Sequence, residues 1–489
     1  MSRRLPVLVL LVGLLVALLV GDREAPAEVA TAFAQAAAAG LPVADGPEAL
    51  TSTWFCAAGG ASEDEGTALF VTVANAGAEE RRGTISWHTG DGAVEVVGIT
   101  VPGLDSIEVD ASDAVSAAQV SATVELDGGE VAVEHRLVTN RGTDVAPCAS
   151  GASGTWYLAN GTTARDASQR LVLFNPFPDD AVVDLSFSTD EGRDEPASLQ
   201  GLPVPAGATE IIELTEVVRR RDVTATSVVA RRGRLVVDRV QSFDGELGRA
   251  GVSLTLAAPA PAEVWAFGEG YFVDGLTERW HLYNPTEREA IASLEITPDD
   301  GVMPEPVDLT IPPRGQVTLE AAELARVPAG VGHRSTVRSL NGVPVVAERS
   351  IDARPPSGRE GWASSLGSPT TARRWLLPYG AVTEDVDEWL VLVNPGAEAV
   401  AVDVSGLAGG RYVEIDGLDA VELGPADRRA IKLRPRIERA PLPLVVEATG
   451  PIVVERELYQ IGREVDGVSS MIAVPLPSPV GATQDQVGA

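Results

Sequence analysis

Two cysteines, four histidines and one lysine are all that 489 residues contain of three residue types central to metal and phosphate chemistry. So few soft or imidazole ligands leave little to build a zinc site with, and no metal is expected. His88, His135, His281 and His333 form no His-Glu-x-x-His pair. No Gly-x-Ser-x-Gly elbow occurs, and Lys432, the only lysine, follows no glycine-rich loop. Metalloprotease, serine hydrolase and nucleotide-dependent activities thus lack their recognisable parts, and neither catalytic residues nor a cofactor are expected. Positive charge is scarce too: 38 Lys and Arg face 70 Asp and Glu, a net charge of −32. Nucleic-acid binding needs basic patches that displace counterions, so no nucleic-acid partner is expected. Anionic lipid headgroups would repel most of the chain for the same reason.

One long apolar run exists, at the N-terminus. Ser2-Arg3-Arg4 precedes unbroken apolar sequence from Leu5 to Val20. Basic residues ahead of such a run are the pattern of an export signal. As a helix it would be about 24 Å long, slightly under a hydrocarbon core of ~30 Å. We read residues 1–21 as a signal or retained membrane anchor, with the bulk of the chain outside the cytoplasm. Cleavage, for which Ala32-Phe33-Ala34 is a candidate site, would release it as a secreted protein. Membrane contact is expected through this helix only. Residues 22–50, rich in Ala, Pro and Gly, read as a linker. In an exported chain, an even pair of cysteines bracketing one segment predicts a disulfide, Cys56–Cys148.

The rest is repetitive. Trp54, Trp156, Trp265 and Trp375 each have a glycine five residues on: Gly59, Gly161, Gly270 and Gly380. An asparagine follows each: Asn75, Asn175, Asn284 and Asn394. Each stretch closes on an apolar run ending in an acid and a base: Glu134-His135, Asp238-Arg239, Glu348-Arg349 and Glu455-Arg456. The third copy shows about seven short alternating runs, separated by turn residues such as Asn284-Pro285 and Pro312-Pro313. Asn341-Gly342 predicts a hairpin between Ser335–Leu340 and Val343–Ile351. Helical periodicity is nearly absent after the N-terminus. The expected fold is all-β: four tandem antiparallel β-sandwich (Ig-like) repeats after an N-terminal hydrophobic helix. Their boundaries are expected at 51–150, 151–258, 259–368 and 369–477, with 478–489 a disordered tail. A four-bladed propeller is disfavoured, because one blade needs far fewer residues.

Three phrases carry a resemblance: Trp-Tyr-Leu-Ala-x-Gly-Thr at 156–162, Leu-Val-Leu-Phe-Asn-Pro at 171–176 and Val-Val-Glu-Arg-Glu-Leu-Tyr at 453–459. Together they resemble a repeat of exported actinobacterial proteins, a domain of unknown function. The resemblance spans roughly residues 50–475 and implies location and fold, but no activity. The first copy departs from it, with Ala76 in place of the proline after Asn75 and His135 in place of Arg.

Recurrence at one position favours core roles for the four marker tryptophans. Trp280 and Trp389 lie four and five residues before their asparagines, so they point to opposite faces of equivalent strands. They are the candidates for glycan or partner contact. Neighbouring acid and base on a strand face opposite sides and cannot pair with each other, so structural pairing elsewhere is expected. The acidic loops (Glu63-Asp64-Glu65, Asp166, Asp274, Glu384 to Glu388) lack calcium-loop spacing and read as solvated turns. The expected role is a non-catalytic, extracellular cell-envelope scaffold or protein-binding array. The alternatives are a cell-wall glycan-binding array or a hydrolase with an inter-repeat site. Partners would be an envelope protein or a cell-wall glycan.

Overall fold

Alternating burial is what makes these segments strands. Along Ala181–Thr189, residues Ala181, Val183, Leu185 and Phe187 are buried, while Val182, Asp184 and Ser186 between them are less so. The computed structural model describes residues 41–477, apart from 65, 91, 302–303, 325–326 and 462–466. The apolar run 5–20, most of the linker and the expected tail lie outside them. Among the described residues the protein is almost wholly β, and no helix is long and apolar enough to cross a membrane.

Four β-sandwiches follow one another, each with an outer and an inner antiparallel sheet. In the first, the outer sheet runs Thr51–Cys56, Val120–Asp127, Arg81–Thr89, Val94–Val101. The inner sheet runs Asp105–Asp110, Ala68–Asn75, Val131–Thr139, Gly142–Pro147. The third module repeats both orders. The second divides its outer edge into two short strands, Gly192–Asp194 and Gln200–Val204. In the fourth, one long strand, Leu444–Gln460, belongs to both sheets.

Two expectations about the strands need correction. Asn341-Gly342 does not join a hairpin. His333–Ser339 pairs with outer strands, whereas Val346–Ala353 pairs with Leu276–Tyr283 and Gly361–Leu366 of the inner sheet. The turn carries the chain across the core, because the two flanking apolar runs bury from opposite sides. Gly342 still supplies the left-handed residue, at φ 67°. Secondly, each module has an inner strand beyond the seven read from sequence: Gly142–Pro147, Ala250–Leu256, Gly361–Leu366 and Gly467–Ile472. Serine, glycine and alanine make these strands resemble connecting segments.

Those four strands close the molecule. They pack against one another around a common axis, first against second, second against third, third against fourth and fourth against first. The modules form a ring, not a rod. At its last seam, Val474–Leu476 pairs with Ala372–Leu377 inside the fourth module, and Leu376, Val474 and Leu476 bury into the core of the first. Ala44, from the end of the expected linker, donates to the carbonyl of Pro475 at 3.0 Å and is buried against the first module. Leu376, Leu407 and Val445 of the fourth module share that module's core.

Candidate functional site

The four marker tryptophans are at most 1% exposed. Trp156 and Trp265 donate their indole N–H to Leu235 and Val345 carbonyls at 2.8 and 2.7 Å, tying the first outer strand to the crossing chain. Each asparagine is a clasp. Asn175 Nδ2 donates to the carbonyls of Asp179, Val204 and Pro205 at 2.9, 3.0 and 3.2 Å, while its Oδ1 accepts from Phe177 N. Asn75, Asn284 and Asn394 repeat this geometry. The glycines allow close approach: a Cβ on Gly380 would lie 2.2 Å from Leu442 O.

The acid–base closures do pair, across modules. Asp238 Oδ2 accepts from the amides of Ala57 and Ala58 in the preceding module at 3.1 and 2.8 Å. Glu348 Oε1 does the same with Ala159 and Asn160 (2.6 and 3.1 Å), and Glu455 Oε2 with Gly268 and Glu269 (2.6 and 3.0 Å). Glu134 completes the ring on Tyr379 N at 3.0 Å, a single amide because Pro378 has none to give. Each base reaches the other way, to the next module's acid: His135 to Asp238 (3.1 Å), Arg239 to Glu348 (2.8 Å), Arg349 to Glu455 (2.6 Å) and Arg456 to Glu134 (3.0 Å). All eight side chains are at most 1% exposed. Opposite facing of strand neighbours is what lets one dipeptide grip both adjacent modules.

Two seams carry surplus carboxylate. Glu457 lies 3.0 Å from Arg349, and Glu388 faces Arg456 and Glu134. Burial pushes Glu388 up to about 8, against the attraction of Arg456, and also raises Glu457 and Glu134. Burial opposes the charge on Arg349, yet Glu455 and Glu457 outweigh it and hold the guanidinium ionised. Asp144, near the axis, accepts from Val145 N and Leu254 N and is raised to about 6 by burial. These shifted groups lie between modules, as an inter-repeat active site would require, but they are sealed in packed seams.

The other sequence expectations divide. Cys56 and Cys148 are bonded. They stand beside His135, whose Nδ1 is 3.3 Å from Cys148 Sγ. Although the two sulfurs and His135 lie within reach of one ion, the sulfurs are spent on each other. Trp280 must be withdrawn as a surface contact: it is 0% exposed, with its N–H donated to Ser335 Oγ at 2.8 Å, because its strand face is the core face. Trp389, on the opposite face, is half-buried and lines an open cleft of about 520 Å³ between the third and fourth modules. Asp166 and Asp387 are not solvated turns; Asp166 is held by Arg249 at 2.6 Å and Asp387 by Lys432 at 2.8 Å. Sequence reading missed the axial glycines Gly142, Gly251, Gly361 and Gly467, though they recur at module spacing.

Residues 15–262, just over half of the chain, match the profile of a family of unknown function (DUF5719). No curated protein matches the chain. Among solved structures, it is similar to Thermotoga maritima 1070 at 21% identity, covering 22% of this chain and 94% of that one, with a TM-score of 0.20. It is similar to an Anabaena sensory rhodopsin transducer at 26% identity, covering 18% and 94%, with a TM-score of 0.15. A tetra-tandem repeat from the extending region of a large adhesion protein aligns at 13% identity over 82% and 92%, with a TM-score of 0.10. Scores this low carry no argument about fold or role. The family match does carry one: this chain belongs to the DUF5719 family of unknown function.

Proposed function

We propose that the protein is a non-catalytic scaffold of the cell envelope, a preassembled ring held outside the cytoplasm by residues 5–20 and presenting its outer loops to an envelope partner. The observation that supports this reading best is the unbroken circuit of buried acid, base and amide contacts, which holds each module by both neighbours. A molecule whose most distinctive side chains all serve assembly is suited to holding a surface in a fixed shape. The Cys56–Cys148 bond fits an oxidising compartment.

The test is complementation of a deletion strain with a chain carrying Glu388→Gln and Glu457→Gln. A scaffold keeps its role, since both carboxylates are fully buried and neither reaches the surface that a partner would meet. Loss of the role in a folded double variant would favour a hydrolase. Fractionation with and without detergent tests the location, and recovery of all the protein in the soluble fraction would overturn the anchor.

A further inference from the structure

The cleft beside Trp389 is built differently from the rest of the molecule. Its walls are the loop at 354–360 of the third module and the Val386–Val393 and Leu444–Gln460 strands of the fourth. The Arg359 guanidinium lies 4.1 Å from the centre of the Tyr459 ring and 5.9 Å from those of Trp389 and Tyr271. Cation–π contact holds this cation against the rings without consuming its N–H donors. Among the described residues no carboxylate is bonded to it, in a chain with 70 acidic residues. Lys432, the only lysine, stands 5.7 Å from the Trp389 ring and is tied to buried Asp387 at 2.8 Å.

A half-buried tryptophan lining the cleft, beside a guanidinium to which no carboxylate among the described residues is bonded, suits one ligand chemistry. The ring takes the apolar face of a sugar, and the guanidinium takes a carboxylate through two parallel hydrogen bonds. A volume of about 520 Å³ admits one or two sugar rings. The net charge of −32 repels a long polyanion, so a short saccharide carrying a single acid is favoured. We propose that this cleft binds a carboxylated saccharide, with Arg359 on the carboxylate and Trp389 under the ring. The site stands whether or not the scaffold reading does.

The experiment titrates the intact, disulfide-bonded protein with cellobiouronic acid and with neutral cellobiose, followed by tryptophan fluorescence and ligand-observed NMR. The acid should bind at least about tenfold more tightly, the worth of one charge-assisted pair. Arg359→Gln, in a loop at the cleft rim, should abolish that preference while leaving the fold intact by circular dichroism. Trp389→Ala should weaken both sugars. Equal affinity for the two sugars, binding indifferent to Arg359→Gln, or no binding of the acid up to ~10 mM would each overturn the proposal.

Discussion

At the scale of single residues, the seams are the sensitive points. Removing one partner of a buried ion pair leaves the other charged and stranded. Arg239→Ala should therefore destabilise the protein by about 3–5 kcal/mol in denaturant unfolding, and adding Glu348→Met should not recover that loss, because it strands the buried amides of Ala159 and Asn160. Glu388 makes a pH prediction. Its folded pKa, about 8, lies above the ordinary carboxylate value of 4.5, so the fold favours the protonated form. That contribution is whole below pH 4.5 and is lost as pH rises through 8. Thermal stability should fall between pH 5 and 9, and Glu388→Gln should flatten the fall and raise Tm at pH 8, by a few kcal/mol in free energy. Gln169 already occupies the equivalent position in the second module, bonded to Thr224. Asn175→Ala should cost on the order of 2–4 kcal/mol, since several buried carbonyls lose their donor at once.

Among the elements, the axial strands matter most. A Cβ added to Gly361 would lie 2.8 Å from Val468 N, and one on Gly251 2.9 Å from Trp362 N; both residues also have positive φ, 136° and 127°. Gly361→Ala should loosen the axis, read as faster amide exchange in Gly467–Ile472. Gly207→Ala, at a positive-φ turn where an added Cβ meets nothing, should cost only about 1 kcal/mol. The disulfide belongs to this scale as well. Cys56 ends an outer strand, while Cys148 follows the axial strand of the same module. Reduction should cost about 4–5 kcal/mol, since the bond closes 92 residues of sequence separation, and the expected reading is a lower denaturant midpoint with thiol present.

For the molecule as a whole, a closed ring should unfold as one body. Calorimetry should show a single transition, because each module's acid lies buried in its neighbour's seam; four separate transitions would mean that the seams are weaker than their geometry indicates. Much of this architecture is legible in the sequence. Periodic tryptophan, glycine and asparagine mark the repeats, and alternating apolar residues mark the sheets. The axial strands were hard to read because small polar residues suffice where four backbones crowd one axis. The Arg359 cleft left no motif, since its loop and its aromatic wall belong to different modules.

The sequence by itself determined the number of modules, their β character and the opposed faces of every acid–base dipeptide, because local periodicity decides which way a side chain points. Only the tertiary structure decided what each one meets. Arg456 and Glu134 stand 322 residues apart and become partners solely because the ring closes. Strand alternation specifies a face, but the neighbour waiting on that face is set by how whole sandwiches pack.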